Sequence, residues 1–261
     1  MSDVWASGEA YEAYIGRWSR QVADEFLAWL AVPPGQKWLD VGCGTGELTR
    51  IILGRCEPLA VTGVDPSTPF VGYAAGHTQD DRVEFREADA QALPFAHVQF
   101  DASVSGLVLN FVPDPERGVS EMARVTRRGG TVAAYVWDYA GKMEMIRYFF
   151  DAAVALEPAA AQFDEGDRFP VCRPERLADL FRGAGLREVD TRAIDIPTHF
   201  RDFEDYWTPF LSGTGVAPAY AMSLTQTDRI ALRERIRASF PVRPDGSIQL
   251  IARAWAVSGT K

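Results

Sequence analysis

Between Trp18 and Leu30 the apolar residues Trp18, Val22, Phe26, Trp29 and Leu30 recur at helical spacing, and Pro33, Pro34 and Gly35 then break the pattern. This predicts an amphipathic helix ahead of the first strand. Five short apolar or β-branched runs follow, at Lys37 to Val41, Leu59 to Val64, Val83 to Arg86, Phe100 to Val104 and Gly130 to Trp137. The stretches between them are compatible with helices, and strand-helix alternation implies a parallel sheet with right-handed crossovers. The best-marked helix opens at Pro113-Asp114-Pro115-Glu116 and carries Val119, Met122, Ala123 and Val125 on one face. Gly129-Gly130 is expected to end it.

The final third departs from this rhythm. Leu186 to Ile196 and Ile248 to Val257 read as two further strands, the second preceded by the turn Pro244-Asp245-Gly246. About fifty residues separate them, far more than an ordinary connection. That insertion holds Phe200, Phe203, Tyr206, Trp207 and Phe210 and then a helix-like segment from Leu224 to Phe240. A second insertion, from Asp138 to Val171, holds Tyr139, Tyr148, Phe149, Phe150, Phe163 and Phe169. The predicted fold is α/β, a Rossmann-like seven-stranded and mostly parallel sheet with helices on both faces and helical, aromatic lid insertions. It is expected to end in an antiparallel pair formed by the last two strands. The expected division is an N-terminal helical segment (1–36), a core (37–137), an insertion (138–172) and a C-terminal part of the core (173–261) with a lid near 197–243.

Composition narrows the function classes. The 261 residues are 47% hydrophobic and 24% charged, and no apolar run approaches the ~20 residues that cross a bilayer. No membrane association is expected. A formal charge of −9 opposes any partner recognised mainly through phosphates, so no nucleic acid is expected either. The first twenty residues lack a basic start and an apolar core, so a cytoplasmic location is expected. Cys43, Cys56 and Cys172 show no CxxC spacing and the three histidines are dispersed, so no disulfide framework and no metal site is expected.

The sharpest chemical signal is Trp38-Leu39-Asp40-Val41-Gly42-Cys43-Gly44-Thr45-Gly46-Glu47-Leu48-Thr49. A strand runs into closely spaced glycines and then a helix, which lets backbone approach a ligand at the strand's C-terminal end. A dinucleotide fingerprint needs glycine or alanine where Glu47 stands. Asp40, two residues before the first glycine, repels a pyrophosphate and welcomes an ammonium or sulfonium. Asp65, in Gly63-Val64-Asp65-Pro66-Ser67, lies about twenty residues past the glycines, the distance at which a carboxylate reaches ribose hydroxyls. Asp89, in the loop after the third strand, suits an exocyclic adenine amine.

LDVGCGTG, GVDPS, EADAQALPF and FDASVSGLVLNFVPDPERGVSEMARVTRRGG together resemble the class I S-adenosylmethionine-dependent methyltransferases, particularly the ubiquinone/menaquinone biosynthesis group. The resemblance covers roughly Trp38 to Trp137. It implies that Gly42, Gly44 and Gly46 approach the methionine moiety of S-adenosylmethionine and that Asp65 holds the ribose diol. It further implies that Pro66 and Ser67 flank the adenine, Asp89 and Ala90 read its amine, and Ser105 to Leu107 face the sulfonium. Family members often carry histidine where this chain has Asn110.

The expected activity is methyl transfer to a small, aromatic or apolar acceptor. Tyr14 and Arg17 are candidate cofactor contacts, Arg17 toward its carboxylate, against the alternative of a surface helix using Tyr and Trp as core contacts. Tyr139, Tyr206 and Trp207 are the candidate acceptor pocket, against the alternative that they pack the insertions. His199, at the mouth of the aromatic insertion, is the candidate base. A noncatalytic S-adenosylmethionine-binding protein and a nicotinamide oxidoreductase are the competing functions, the second opposed by Glu47 and Asp40.

Overall fold

The computed structural model describes residues 15–213 and 215–261. They fall into two compact units. The sheet unit comprises Arg20–Trp137, Val171–Ile194 and Ala254–Lys261, and the aromatic unit comprises, of the described residues, 15–19, Asp138–Pro170 and Asp195–Arg253. Among the described residues no helix is long and apolar enough to cross a membrane.

The sheet runs through β1 (Lys37–Val41), β2 (Ala60–Asp65), β3 (Val83–Glu87), β4 (Phe100–Gly106), β5 (Thr126–Trp137), β6 (Arg187–Phe200) and β7 (Ile248–Thr260). Their order across the sheet is β3-β2-β1-β4-β5-β7-β6. Strand β1 pairs in parallel with β2 on one side and β4 on the other, and β2 with β3 and β4 with β5 continue that sense. Strand β7 enters between β5 and β6 and runs antiparallel to β5, with Val136 opposite Trp255. The antiparallel partner established for the last strand is therefore β5, and β6 is the edge beyond it. Chain direction reverses its progress across the sheet between β1 and β4, and open α/β sheets bind ligands at that switch, beyond the strands' C-terminal ends.

Trp38, Leu39 and Val41 are buried on a strand flanked on both sides, which is why β1 reads as a continuous apolar run. Helix α1 (Arg17–Leu30) buries Val22, Ala23, Phe26 and Leu27, with the Phe26 ring 4.7 Å from that of Tyr135. Helices α2 (Glu47–Arg55) and α3 (Thr68–His77) lie against β2, α3 also against β3. Helix α4 (Pro115–Val125) begins as its sequence predicts, with Asp114 accepting from the Arg117 amide at 2.9 Å and Pro115 in the first turn. It buries Val119, Met122, Ala123 and Val125.

Its end differs from expectation. Helix α4 stops at Val125 and β5 begins at Thr126, ahead of the glycine pair. The Thr126 hydroxyl is buried, donates to the Met122 carbonyl at 2.7 Å and lies 2.7 Å from Ser103 Oγ, which fastens the chain to β4 immediately. The glycines serve a register shift between Phe100 and Ala102 instead. A Cβ on Gly130 would meet the Asp101 carbonyl oxygen at 2.6 Å. Helix α7 (Pro174–Gly183), which contacts α4, completes the sheet unit.

The aromatic unit is organised by rings. It holds α5 (Glu144–Leu156), a short α6 (Glu165–Arg168), α8 (Phe203–Trp207), α9 (Val216–Ser223) and α10 (Gln226–Ser239). Tyr206 sits 5.5 Å from Phe200, 5.0 Å from Phe210 and 4.4 Å from Phe240, and its hydroxyl donates to the Met145 carbonyl at 2.8 Å. Phe149 stacks on Phe210 at 4.7 Å. On α10, Arg233 and Arg237 place guanidinium carbons 5.3 and 5.1 Å from the Phe203 ring, so both side chains pack on the cluster.

Candidate active site

The C-terminal end of β1 carries the glycine turn. Gly42, Gly44 and Gly46 all take positive φ (76°, 51° and 84°), a region that side chains disfavour. Their surroundings separate their roles. A Cβ on Gly42 would lie 2.4 Å from Val108 Cγ1, so this glycine admits the loop after β4. On Gly44 a Cβ would meet nothing within 4 Å, so the backbone there faces open space. Gly46 packs toward Ala74 and Phe85, and the Phe85 ring also stands over Gly63, where a Cβ would fall 2.6 Å from it.

Two carboxylates stand beside this turn. Asp40 is 1% exposed; its Oδ2 accepts from the Thr49 hydroxyl at 2.7 Å, while its Oδ1 is buried with no hydrogen-bond partner. Burial pushes its carboxyl up to about 7 against the pull of the Thr49 hydrogen bond, and Asp65 adds a smaller repulsion. Asp65, at the end of β2, uses Oδ2 to accept from the Gly44 amide at 3.0 Å and Oδ1 to accept from the Ser67 amide at 2.9 Å. It too is raised by burial, with the two amide bonds opposing. The same field and burial push the Cys43 thiol far up, which makes it an inert hydrophobe inside the turn.

Ser67 caps α3, accepting from the Phe70 amide at 3.4 Å behind Pro66, so GVDPS is a strand end that becomes a helix start. Asp89 is exposed and accepts from the Gln91 amide at 2.8 Å, which holds its carboxyl below the usual range, while Ala90 is buried. On β4, Ser105 is fully buried with no partner for Oγ, and Leu107 takes a left-handed φ of 62° as its amide donates to the Tyr135 carbonyl at 2.8 Å. The sheet unit thus gathers Asp40, the three glycines, Asp65, Pro66 and Ser67 at adjoining strand ends, with the β4 loop over Gly42.

Thr49 and the charges at the start of α2 were not legible as site residues. Glu47 receives Arg20 and Arg50, each at 2.5 Å, and Arg50 also donates to the Thr45 carbonyl at 2.9 Å. A guanidinium therefore does reach the turn, but Glu47 neutralises it. The spacing Asp40 to Thr49, strand end to first helical turn, is the one signal that would have found the Thr49 contact.

The aromatic unit holds the other candidates. Arg17 donates to Asp205 at 3.2 Å, and its guanidinium carbon lies 4.5 Å from the Trp18 ring centre and 4.9 Å from that of Phe200. Tyr14 lies outside the described residues. Tyr139, Tyr206 and Trp207 are all interior, at 2%, 0% and 3% exposure. His199 is exposed, on the face of β6 opposite its buried neighbours Thr198 and Phe200.

Glycines open one strand end onto free space, a carboxylate closes the end of the next, and among the described residues the guanidinium that reaches the turn is neutralised by Glu47. Comparison with known proteins places the fold. A family model described as a methyltransferase domain matches residues 39–134. The demethylmenaquinone methyltransferase of Roseiflexus sp. (strain RS-1) is 33% identical over 184 residues, 64% of this chain and 75% of that protein. The chloroplastic 2-methyl-6-phytyl-1,4-hydroquinone methyltransferase 2 of Oryza sativa subsp. japonica is 30% identical over 185 residues, 69% of this chain and 47% of that protein. Phosphoethanolamine N-methyltransferase 2 of Haemonchus contortus, solved with phosphomonomethylethanolamine and S-adenosylhomocysteine, shares the fold at a TM-score of 0.61 and 16% identity, covering 97% of this chain and 56% of that one. The chain belongs to the class I S-adenosylmethionine-dependent methyltransferases, in the group that includes the demethylmenaquinone methyltransferases.

Proposed function

We propose that this chain moves the methyl group of S-adenosylmethionine to a small, apolar, aromatic acceptor of the hydroquinone or phenol kind. The observation that carries the cofactor half is Asp65, fixed through both oxygens at the end of β2 beside the open space over Gly44. The residues present fit the group: carboxylates for ribose hydroxyls and a cation, an open glycine cradle, and, among the described residues at the turn, a guanidinium already bonded to Glu47. Relatives that bear the names of quinone and hydroquinone methyltransferases support the acceptor half.

Gly42, Gly44 and Gly46 would admit the methionine portion, Asp65 the ribose diol, Pro66 and Ser67 the adenine face, and Asp89 with Ala90 its amine. Ser105 and Leu107 would stand toward the reacting sulfur. Bound there, the cofactor supplies a methyl group on a cationic sulfur with a neutral thioether as leaving group. The protein's own work is then to align, to exclude water and to keep the acceptor's attacking atom in line. Tyr139, Tyr206 and Trp207 act in this reading by shaping the aromatic unit from inside. His199, turned outward, is given no part, so alignment rather than a protein base is the account of rate.

Calorimetric titration tests the first half: S-adenosylmethionine and S-adenosylhomocysteine should bind and NAD should not, and binding of NAD alone would sink the reading. An acceptor screen that detects S-adenosylhomocysteine, followed by mass spectrometry of the product, tests the second. Turnover of amines with none of hydroquinones or phenols would overturn the acceptor class.

A further inference from the structure

The carboxyl of Asp40 is buried, and among the described residues no cation pairs with it. From α2 the neutral Thr49 hydroxyl donates to it and, as a smaller influence, so does the Thr49 amide; from β2 comes the second carboxylate, Asp65; from the turn comes the Cys43 thiol, itself kept protonated. On β4 its register partner is Val104. The charged residues opening α2, Glu47 and Arg50, are bonded to each other. One Asp40 oxygen is left with no donor, a costly arrangement for an ionised carboxylate and a tolerable one for a neutral acid. Two coupled carboxylates in one buried patch favour a shared proton, and a positive charge brought to the patch reverses that preference.

We propose that Asp40 is a charge-sensing group: with no ligand at the turn it holds a proton, and a cationic ligand seated over the glycines is bound with Asp40 ionised, so that loading releases a proton to solvent. The exchange balances, because the ligand's positive charge replaces the proton's beside Asp40 and no bond other than O–H is broken. This rests on the cofactor half of the proposed function. Its direct support is the orphaned Oδ1, the Thr49 contact and the proximity of Asp65, and the raised carboxyl of Asp40 agrees with it.

The test is titration calorimetry of the full chain at pH 6.5 with S-adenosylmethionine, in phosphate and in Bis-Tris, which both buffer at this pH and whose protonation enthalpies differ widely. The expected result is a buffer-dependent heat that reports net proton release on binding, and an affinity that rises several-fold between pH 5.5 and 7.0, below the range of an α-amino group. Adenosine, which has no charge, should bind without proton release. Asp40→Asn should bind S-adenosylmethionine with neither the buffer dependence nor the pH slope. Thr49→Val, which removes the hydrogen bond that favours the ionised form, should move the slope to higher pH and keeps the test open if Asp40→Asn does not fold. Binding of S-adenosylmethionine with the same heat in both buffers would overturn the inference, as would equal proton release with adenosine or in Asp40→Asn. Absence of any binding would instead overturn the proposed function.

Discussion

Asp65 and Asp40 stand on one face of neighbouring strands and differ in what they hold. Asp65 organises backbone, so its removal should cost the turn as well as any ligand. Asp65→Ala is expected to weaken S-adenosylmethionine binding by about 1 to 3 kcal/mol, through loss of charge-assisted hydrogen bonds, in a protein that still folds. Calorimetry beside circular dichroism checks it, and unchanged affinity in the folded variant would reject a ribose role. Asp40 acts on stability through pH. Its carboxyl is raised from an ordinary 3.8 to about 7 in the folded protein, so between those values the folded state binds more protons than the unfolded state. The linkage sign then makes the ligand-free protein lose stability as pH rises through that window. Denaturant unfolding at pH 5 and pH 7.5 should show Asp40→Asn gaining on the wild type toward the higher pH; a constant difference would show that Asp40 ionises normally. For His199, exposed on the outer face of β6, the expectation is that His199→Ala leaves the pH profile of turnover in place. Loss of the acidic limb of that profile would restore it as a base.

At the scale of elements, the glycine turn separates conformation from space. Gly42→Ala drives a methyl into Val108 and should destabilise the sheet unit, whereas Gly44→Ala meets no protein atom and carries only the strain of a positive φ, about 1 kcal/mol. Gly44→Ala should therefore melt close to the wild type while losing cofactor affinity, and a variant that binds normally would mean the space over Gly44 is not used. The sequence pattern located β1 to its residues, and the other strand starts to within a residue or two apart from β5; at β1, β2 and β4 the runs are buried on both faces, which leaves little choice. It failed at the end of α4, where a glycine pair reads as a helix stop. The contact that decides that boundary, Thr126 to Ser103, joins residues far apart in the chain. Thr49 was missed for a related reason: its hydroxyl matters only once α2 folds back over β1. The strand-end carboxylates, by contrast, are legible because each stands at the end of an apolar run and immediately before a turn of glycines or Pro-Ser.

The two units differ in what holds them, and so in what mutation should do to them. The sheet unit is a hydrogen-bonded lattice with aliphatic filling, while the aromatic unit closes on rings around Tyr206, with Trp207 stacked on Phe203 at 6.5 Å and on Phe210 at 6.0 Å. Sequence alone left these rings open to two readings, since an aromatic residue in an insertion serves a core and a ligand pocket equally well. Their burial decides what removal costs. Trp207→Ala is expected to forfeit about 3 to 5 kcal/mol, on the order of 10 °C in melting temperature, because the cavity it leaves is walled by stiff rings that collapse poorly. The first structure lost should be that of the aromatic unit, followed by near-ultraviolet circular dichroism. The strand ends that carry the proposed cofactor contacts belong to the sheet unit, so well below the transition S-adenosylmethionine should bind within about twofold of wild type, a difference of only ~0.4 kcal/mol. Melting and acceptor kinetics run on one preparation separate packing from contact. A melting temperature unchanged in Trp207→Ala together with a raised acceptor KM would make Trp207 a surface that the acceptor touches, and the stacked rings would then be the wall of its pocket.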